Sequence, residues 1–119
     1  MTVRRRVTQA DFDRFAELSG DDNPIHVDPE FCAGTRFRRT LAHGMFLFSL
    51  LLHVIDAELV PGAVVQEQEL MFPGPIYAGD ELTISVEILS ADDRRVELRA
   101  RIDGPNGTGC DGRTVVARV

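Results

Sequence analysis

The chain has no lysine and no tryptophan, one tyrosine, two cysteines and three histidines among its 119 residues. All 13 basic residues are arginine, which excludes Schiff-base catalysis and a P-loop lysine. Cys32 and Cys110 are too few for a disulfide framework and lack metal-ligand spacing. The three histidines have no paired spacing either, so no metal site is expected. The longest apolar run, Met45 to Leu52, is interrupted by Ser49 and falls far short of the ~20 residues of a membrane span. Acidic residues outnumber basic ones for a net charge of −6, which argues against nonspecific nucleic-acid binding. The first residues, Met1-Thr-Val-Arg-Arg-Arg, lead into Val7-Thr-Gln-Ala-Asp and not into an apolar signal core. A soluble cytoplasmic protein with no membrane or nucleic-acid partner is therefore expected.

What is present is an ordinary globular composition, 44% hydrophobic and 27% charged, at a length that suits one domain over 1–119. Thr2 to Val7 reads as a short strand. Thr8 is a good N-cap for a helix over Ala10 to Leu18, with Phe12, Phe15, Ala16 and Leu18 as its apolar stripe, ended by Ser19-Gly20. A polar loop, Asp21-Asp-Asn-Pro-Ile-His, follows. Gly44 to Leu59 reads as a helix apolar nearly all round, and in so short a chain only a sheet wrapped around it can bury it. Pro61-Gly62 ends that helix.

The second half alternates as strands do. Leu82, Ile84, Val86 and Ile88 form one; after a turn at Asp92-Asp93, Val96, Leu98, Ala100 and Ile102 form another. Asp103-Gly-Pro-Asn-Gly marks a turn, with a last strand from Arg113 to Val119. Ala63 to Phe72 is a further strand whose polar centre, Gln66-Glu-Gln-Glu, suggests a cavity lining or a subunit contact. The class is α+β, an antiparallel curved sheet around a long central apolar helix. One helix on one sheet leaves an apolar flank and a strand edge uncovered, so a homodimer is expected.

The informative stretch is Ser19-Gly-Asp-Asp-Asn-Pro-Ile-His-Val-Asp. Pro24 stiffens it and pushes Asn23 toward an extended conformation, which places Asp21 and His26 at either end of a rigid turn. A carboxylate and an imidazole so placed can act as general base and acid near neutral pH. On spacing alone, a capped turn with a surface histidine is the commoner outcome of such a short motif.

Gly20-Asp21-x-Asn23-Pro24-Ile25-His26-x-Asp28-Pro29 resembles the signature of the MaoC-like (R)-specific enoyl-CoA hydratases. Phe37 with Ala42-His43-Gly44-Met45, and Phe72-x-x-Pro75-x-Tyr77-x-Gly79-Asp80, resemble the family's next two blocks, in order. The resemblance implies a single hot-dog fold and a hydratase or dehydratase acting on trans-2-enoyl and (3R)-3-hydroxyacyl thioesters. It implies that Asp21, two positions before Asn23 and preferred over Asp22, and His26 are the catalytic pair, with Asn23 orienting the loop. It also places the thioester carbonyl at the backbone N–H of Gly44, where a helix N-terminus offers unpaired donors to a developing oxyanion, with Met45 beside it as a substrate contact. No cofactor is implied beyond coenzyme A or phosphopantetheine as part of the substrate, and a higher hot-dog oligomer or a heterodimer is compatible.

Two departures stand out. A hydroxyl that relatives often carry later in the helix falls on Leu52; Ser49, one turn earlier, either substitutes for it or bonds its own helix backbone. Thr40 stands where relatives often have proline. Arg36, Arg38 and Arg39 are candidates for the phosphates of coenzyme A or of a carrier-protein pantetheine, or form a solvated charged loop. Ser49, His53 and Asp56 share a helix face, but a nucleophilic triad needs its nucleophile on a sharp turn. The alternatives are an acyl thioesterase, disfavoured because Met45 to Ile55 holds no carboxylate, and a non-catalytic acyl-thioester-binding protein, disfavoured because both Asp21 and His26 are present.

Overall fold

The computed structural model describes residues 1–119. It opens with β1 (Thr2–Arg6) and α1 (Gln9–Ser19). Thr8 starts α1 through a reciprocal cap: its hydroxyl accepts from the Asp11 N–H at 3.2 Å, and the Asp11 carboxylate accepts from the Thr8 N–H at 2.9 Å. Gly20, at φ 81°, closes the helix with its N–H on the Ala16 carbonyl. Phe12 and Ala16 are buried, but Leu18 is 80% exposed. Six residues past Phe12 at 100° each put Leu18 about 240° around the helix, off the stripe assigned to it.

The polar loop holds more structure than its composition suggests. α2 (Pro24–Val27) and α3 (Pro29–Ala33) follow one another, each with proline at its start. The Asn23 side chain accepts from the Ile25 N–H and the Asp28 side chain from the Phe31 N–H, both at 3.1 Å. Two caps in succession turn a charged stretch into a rigid corner.

The apolar helix α4 (Gly44–Val54) continues into a π-helical turn over Ile55–Leu59, closed by the Val60 N–H on the Ile55 carbonyl at 2.8 Å. The expected helix over Gly44 to Leu59 is thus α in its first part and π in its last. Phe46, Leu47, Leu50, Leu51, Val54 and Ile55 are buried, each contributing roughly 1.5–3 kcal/mol. No helix is long and apolar enough to cross a membrane.

β2 (Val64–Met71), β3 (Glu81–Ala91), β4 (Arg95–Gly104) and β5 (Gly107–Ala117) complete an antiparallel sheet of order β1-β3-β4-β5-β2. α4 lies across β4 and β5. Leu82, Ile84, Val86, Val96, Leu98, Ala100 and Ile102 face it in one core with Phe12 and Ile76. The Asp92 carboxylate holds the β3–β4 turn by accepting from the N–H groups of Arg94 and Arg95 at 2.7 and 2.8 Å.

β5 starts at Gly107, well before the expected Arg113. Gly107 belongs to the expected turn yet opens the strand, and Gly109 and Gly112 are strand positions that need a bare backbone. A Cβ on Gly109 would collide with Ile76, and one on Gly112 with the Glu69 carbonyl. The polar centre of β2 is also explained. Gln68 accepts from the Thr114 hydroxyl at 2.7 Å and donates to the Arg113 carbonyl at 3.1 Å, while Glu67 lies 3.5 Å from Arg113 and 3.6 Å from Arg95. A bulge at Gln66 lets these side chains reach β5 and β4.

Candidate active site

The cap of α2 turns His26 inward from the end of a single helical turn. Its Nδ1 lies 2.8 Å from the Leu41 carbonyl oxygen. A carbonyl only accepts, so Nδ1 carries the hydrogen and Nε2 presents a lone pair. That Nε2 is 3.9 Å from Asp21 Oδ2. One water reaches both atoms at ordinary hydrogen-bond lengths of about 2.8 Å. The imidazole is largely buried while the carboxylate is open to solvent, so the pair meets water on the Asp21 side. Asp22, the neighbouring acid, instead lines a surface hollow with Asp13, Glu17 and Val27.

A third group joins them. His43, the residue before α4, is 2% exposed and stacks on His26 with ring centroids 3.8 Å apart and planes 22° from parallel. Its Nε2 lies 2.9 Å from the Asp21 backbone carbonyl, and its Nδ1 is buried with no partner. Burial holds its pKa below the ordinary histidine value; the bond to the Asp21 carbonyl opposes this, and the neighbouring His26 adds to it. Possible ligand atoms of Asp21, His26 and His43 lie within 4.8 Å of one another. Nε2 of His43 and Nδ1 of His26 are each committed to a carbonyl, which leaves one ring lone pair on each histidine.

His26 is also held from behind. The Gln9 amide donates to the His26 backbone carbonyl and to the Asp13 carboxylate, each at 2.9 Å, and accepts from the Thr40 hydroxyl at 2.5 Å. Thr40 is itself buried. The buried Cys32 thiol donates to the Ile25 carbonyl at 3.3 Å. Burial raises the pKa of both thiols, Cys110 to about 11, so neither is a nucleophile.

The Gly44 N–H at the start of α4 makes no intramolecular hydrogen bond. Gly44 borders a cleft of about 410 Å³ whose walls include Leu41, Ala42, Leu47, Phe72 and Ile76. A Cβ on Gly44 would sit 3.0 Å from the Phe72 ring, so a side chain here crowds the cleft. Arg36 lies on the rim with its guanidinium over Phe37 at 4.6 Å; Arg39 lies over Tyr77 at 4.1 Å, and Arg38 holds a left-handed φ of 65°. Met45 is exposed beside Gly44.

Asp21, Asn23 and His26 are thus brought together, with Gly44 nearby through Leu41. Ser49 is not: it is exposed, and its hydroxyl donates to the Phe46 carbonyl at 2.6 Å. The helix-face set also falls apart, because His53 is exposed and Asp56 accepts from the Gly62 N–H at 2.8 Å. The sequence places His43 in the second family block without giving its side chain a role of its own. A histidine in an N-cap position, where Ser, Thr or Asp is usual, is the signal that marks it.

A family model described as "MaoC like domain" matches residues 1–103. Over 103 residues the chain is 41% identical to an (R)-specific enoyl-CoA hydratase of Aeromonas caviae, covering 84% of this chain and 77% of that one. Over 117 residues it is 33% identical to a 3-hydroxybutyryl-CoA dehydratase of Methylorubrum extorquens, covering 96% and 74%. The structure of an (R)-hydratase from A. caviae involved in PHA biosynthesis superposes with a TM-score of 0.92 at 35% identity, over 100% of this chain and 93% of that one. The five-stranded sheet with its long helix is therefore a hot-dog fold, and the chain belongs to the MaoC-like domain family.

Proposed function

We propose that this protein reversibly hydrates trans-2-enoyl thioesters to (3R)-3-hydroxyacyl thioesters, with Asp21 and His26 sharing one water. The observation that carries the reading is the His26 tautomer: Nδ1–H on the Leu41 carbonyl leaves the Nε2 lone pair facing Asp21 Oδ2 across a gap one water spans. In hydration the water oxygen bonds to the β-carbon as the pair takes one of its protons. The C=C electrons move onto the thioester as an enolate, and the pair returns a proton to the α-carbon. Dehydration runs the same path backward, and the pair ends each cycle unchanged.

The enolate oxygen needs a donor, and the unpaired Gly44 N–H at the positive end of α4 supplies one. The apolar walls of the adjoining cleft suit an acyl chain. Arg36 on its rim suits a phosphate of coenzyme A or of a carrier-bound pantetheine; the names of the two relatives favour coenzyme A. A homodimer fits the exposed apolar residues at the β2 edge, Val64, Met71 and Phe72. A thioesterase is disfavoured because α4 presents no carboxylate to the cleft.

The test follows loss of enoyl absorbance with crotonyl-CoA and longer trans-2-enoyl-CoAs, for the parent and for Asp21→Asn and His26→Ala. Turnover should fall by at least about 100-fold in each variant, with (3R) product from the parent. Parental turnover in both variants refutes the mechanism. Turnover on acyl-carrier thioesters alone reassigns the carrier, and none on either class leaves an acyl-binding protein.

A further inference from the structure

Asp21 sits in an exposed loop, and its hydrogen bonds tie it mostly to that loop. Its N–H donates to Ser19 Oγ at 3.1 Å, and its carboxylate accepts from the Asn23 N–H at 3.5 Å. Neither bond fixes the loop against the rest of the domain. The one long-range tie is the His43 ring, whose Nε2 lies 2.9 Å from the Asp21 carbonyl oxygen. The face of the same ring lies against His26. Phe15 of α1 packs 4.9 Å from it at 59° and brings no charge.

The hydrogen on His43 is located by its partners. A carbonyl only accepts, so Nε2 is the protonated nitrogen and Nδ1 is a bare lone pair. Nδ1 is sealed from water and has no donor in reach. A second proton there would be a buried N–H with no acceptor, on a cation stacked against any charge His26 acquires. The ring is therefore held neutral, in agreement with the downward displacement of its pKa by burial.

We propose that His43 is a positioning residue for the Asp21–His26 pair, a single ring that anchors the backbone of one partner while its face sets the ring plane of the other. This rests on the reading of Asp21 and His26 as the acid–base pair. Placement of the reacting water depends on both groups at once, so a part touching both controls turnover more than binding. The ionisable groups that face the His43 ring are Asp21 and His26.

Two substitutions separate its two contacts. His43→Phe keeps a flat ring under His26 and removes the donor; His43→Gln keeps an N–H near Nε2 and removes the face. Measured on crotonyl-CoA beside Asp21→Asn and His26→Ala, kcat should fall about 100-fold in His43→Phe with KM little changed, and His43→Gln should recover part of that loss. Parental kcat in both His43 variants, with Asp21→Asn and His26→Ala inactive, overturns the positioning role and leaves the pair standing. A loss of activity that only tracks the unfolded fraction seen by circular dichroism overturns it as well. Activity retained in Asp21→Asn and His26→Ala removes the pair and the proposal together. Imidazole nitrogen NMR of the unmodified protein checks it without mutation: His43 should be neutral and Nε2-protonated at neutral pH, and should take up a second proton only below the ordinary histidine value. An Nδ1-protonated or doubly protonated ring at neutral pH contradicts it.

Discussion

Leu41 grips His26 from two directions: its N–H donates to the Ile25 carbonyl at 3.0 Å, and its own carbonyl accepts from His26 Nδ1 at 2.8 Å. The segment doing this is itself pinned, because the Ala42 N–H donates to the Ile76 carbonyl at 2.8 Å and Leu41 bridges Tyr77. Three blocks far apart in sequence therefore set one tautomer. A histidine so held presents the same nitrogen to the carboxylate in every molecule, which is the condition for a defined proton path.

Gly44 is where the cleft tolerates no side chain. In Gly44→Ala the new Cβ meets the Phe72 ring at 3.0 to 3.2 Å, so the ring must turn and narrow the space beside the helix N-terminus. Enoyl-CoA turnover should drop on the order of tenfold with thermal stability nearly unchanged. The double variant Gly44→Ala/Phe72→Leu should regain activity. Full activity in Gly44→Ala shows that no acyl group approaches that N–H.

The chain from Thr40 through Gln9 to the His26 carbonyl predicts a coupled pair of stability effects. Thr40→Val leaves the Gln9 oxygen without its donor, and Gln9→Leu leaves both the His26 carbonyl and the Thr40 hydroxyl unpaired. Urea denaturation should show a loss of about 1–3 kcal/mol for each. The double variant should lose clearly less than the sum, because the two residues share one network. Simple additivity disproves the connection.

Acid should weaken the fold partly through His43. Its folded-state pKa lies below the ordinary value because the ring is buried. As pH falls through about 6.5, the unfolded chain binds a proton that the folded one refuses. Stability therefore declines from that point down to the folded-state pKa, and this group causes no further loss below it. Unfolding free energies at about pH 7.5 and about pH 5 should differ less in His43→Gln than in the parent. Equal differences show that other groups carry the acid sensitivity.

Gly112 and Gly34 make opposite predictions for the same substitution. A Cβ on Gly112 collides with the Glu69 carbonyl and splits β2 from β5, whereas one on Gly34 meets only the Phe31 oxygen at 3.6 Å. Gly112→Ala should cost about 3 kcal/mol or more, and Gly34→Ala should stay within about 0.5 kcal/mol. Comparable chemical denaturation midpoints for the two would refute the close strand approach.

Much of the fold is legible in the sequence. Strand alternation from Leu82 to Ile88 and Val96 to Ile102 follows from a sheet with one buried face, and the Thr8 cap from local hydrogen bonding alone. Leu18 misled because an apolar residue near a stripe is not always on it. The last strand begins before the expected Arg113 because Gly109 and Gly112, left bare for a neighbour, carry no side-chain alternation to read.

The order of residues by itself determined the helix and strand periods, the stiff turn carrying Asp21 and His26, and the family, since each depends on neighbours within a few positions or on matched blocks. Only the tertiary structure decided that Leu41 sets the His26 tautomer, that Thr40 and Gln9 brace its carbonyl, that Ser49 bonds its own helix, and that His43 touches both partners of the pair. Those contacts join segments 15 to 31 positions apart or, for Ser49, depend on which rotamer the surroundings leave open. Hydrogen-bond partners of that kind are chosen by packing across the whole domain, which no local pattern encodes.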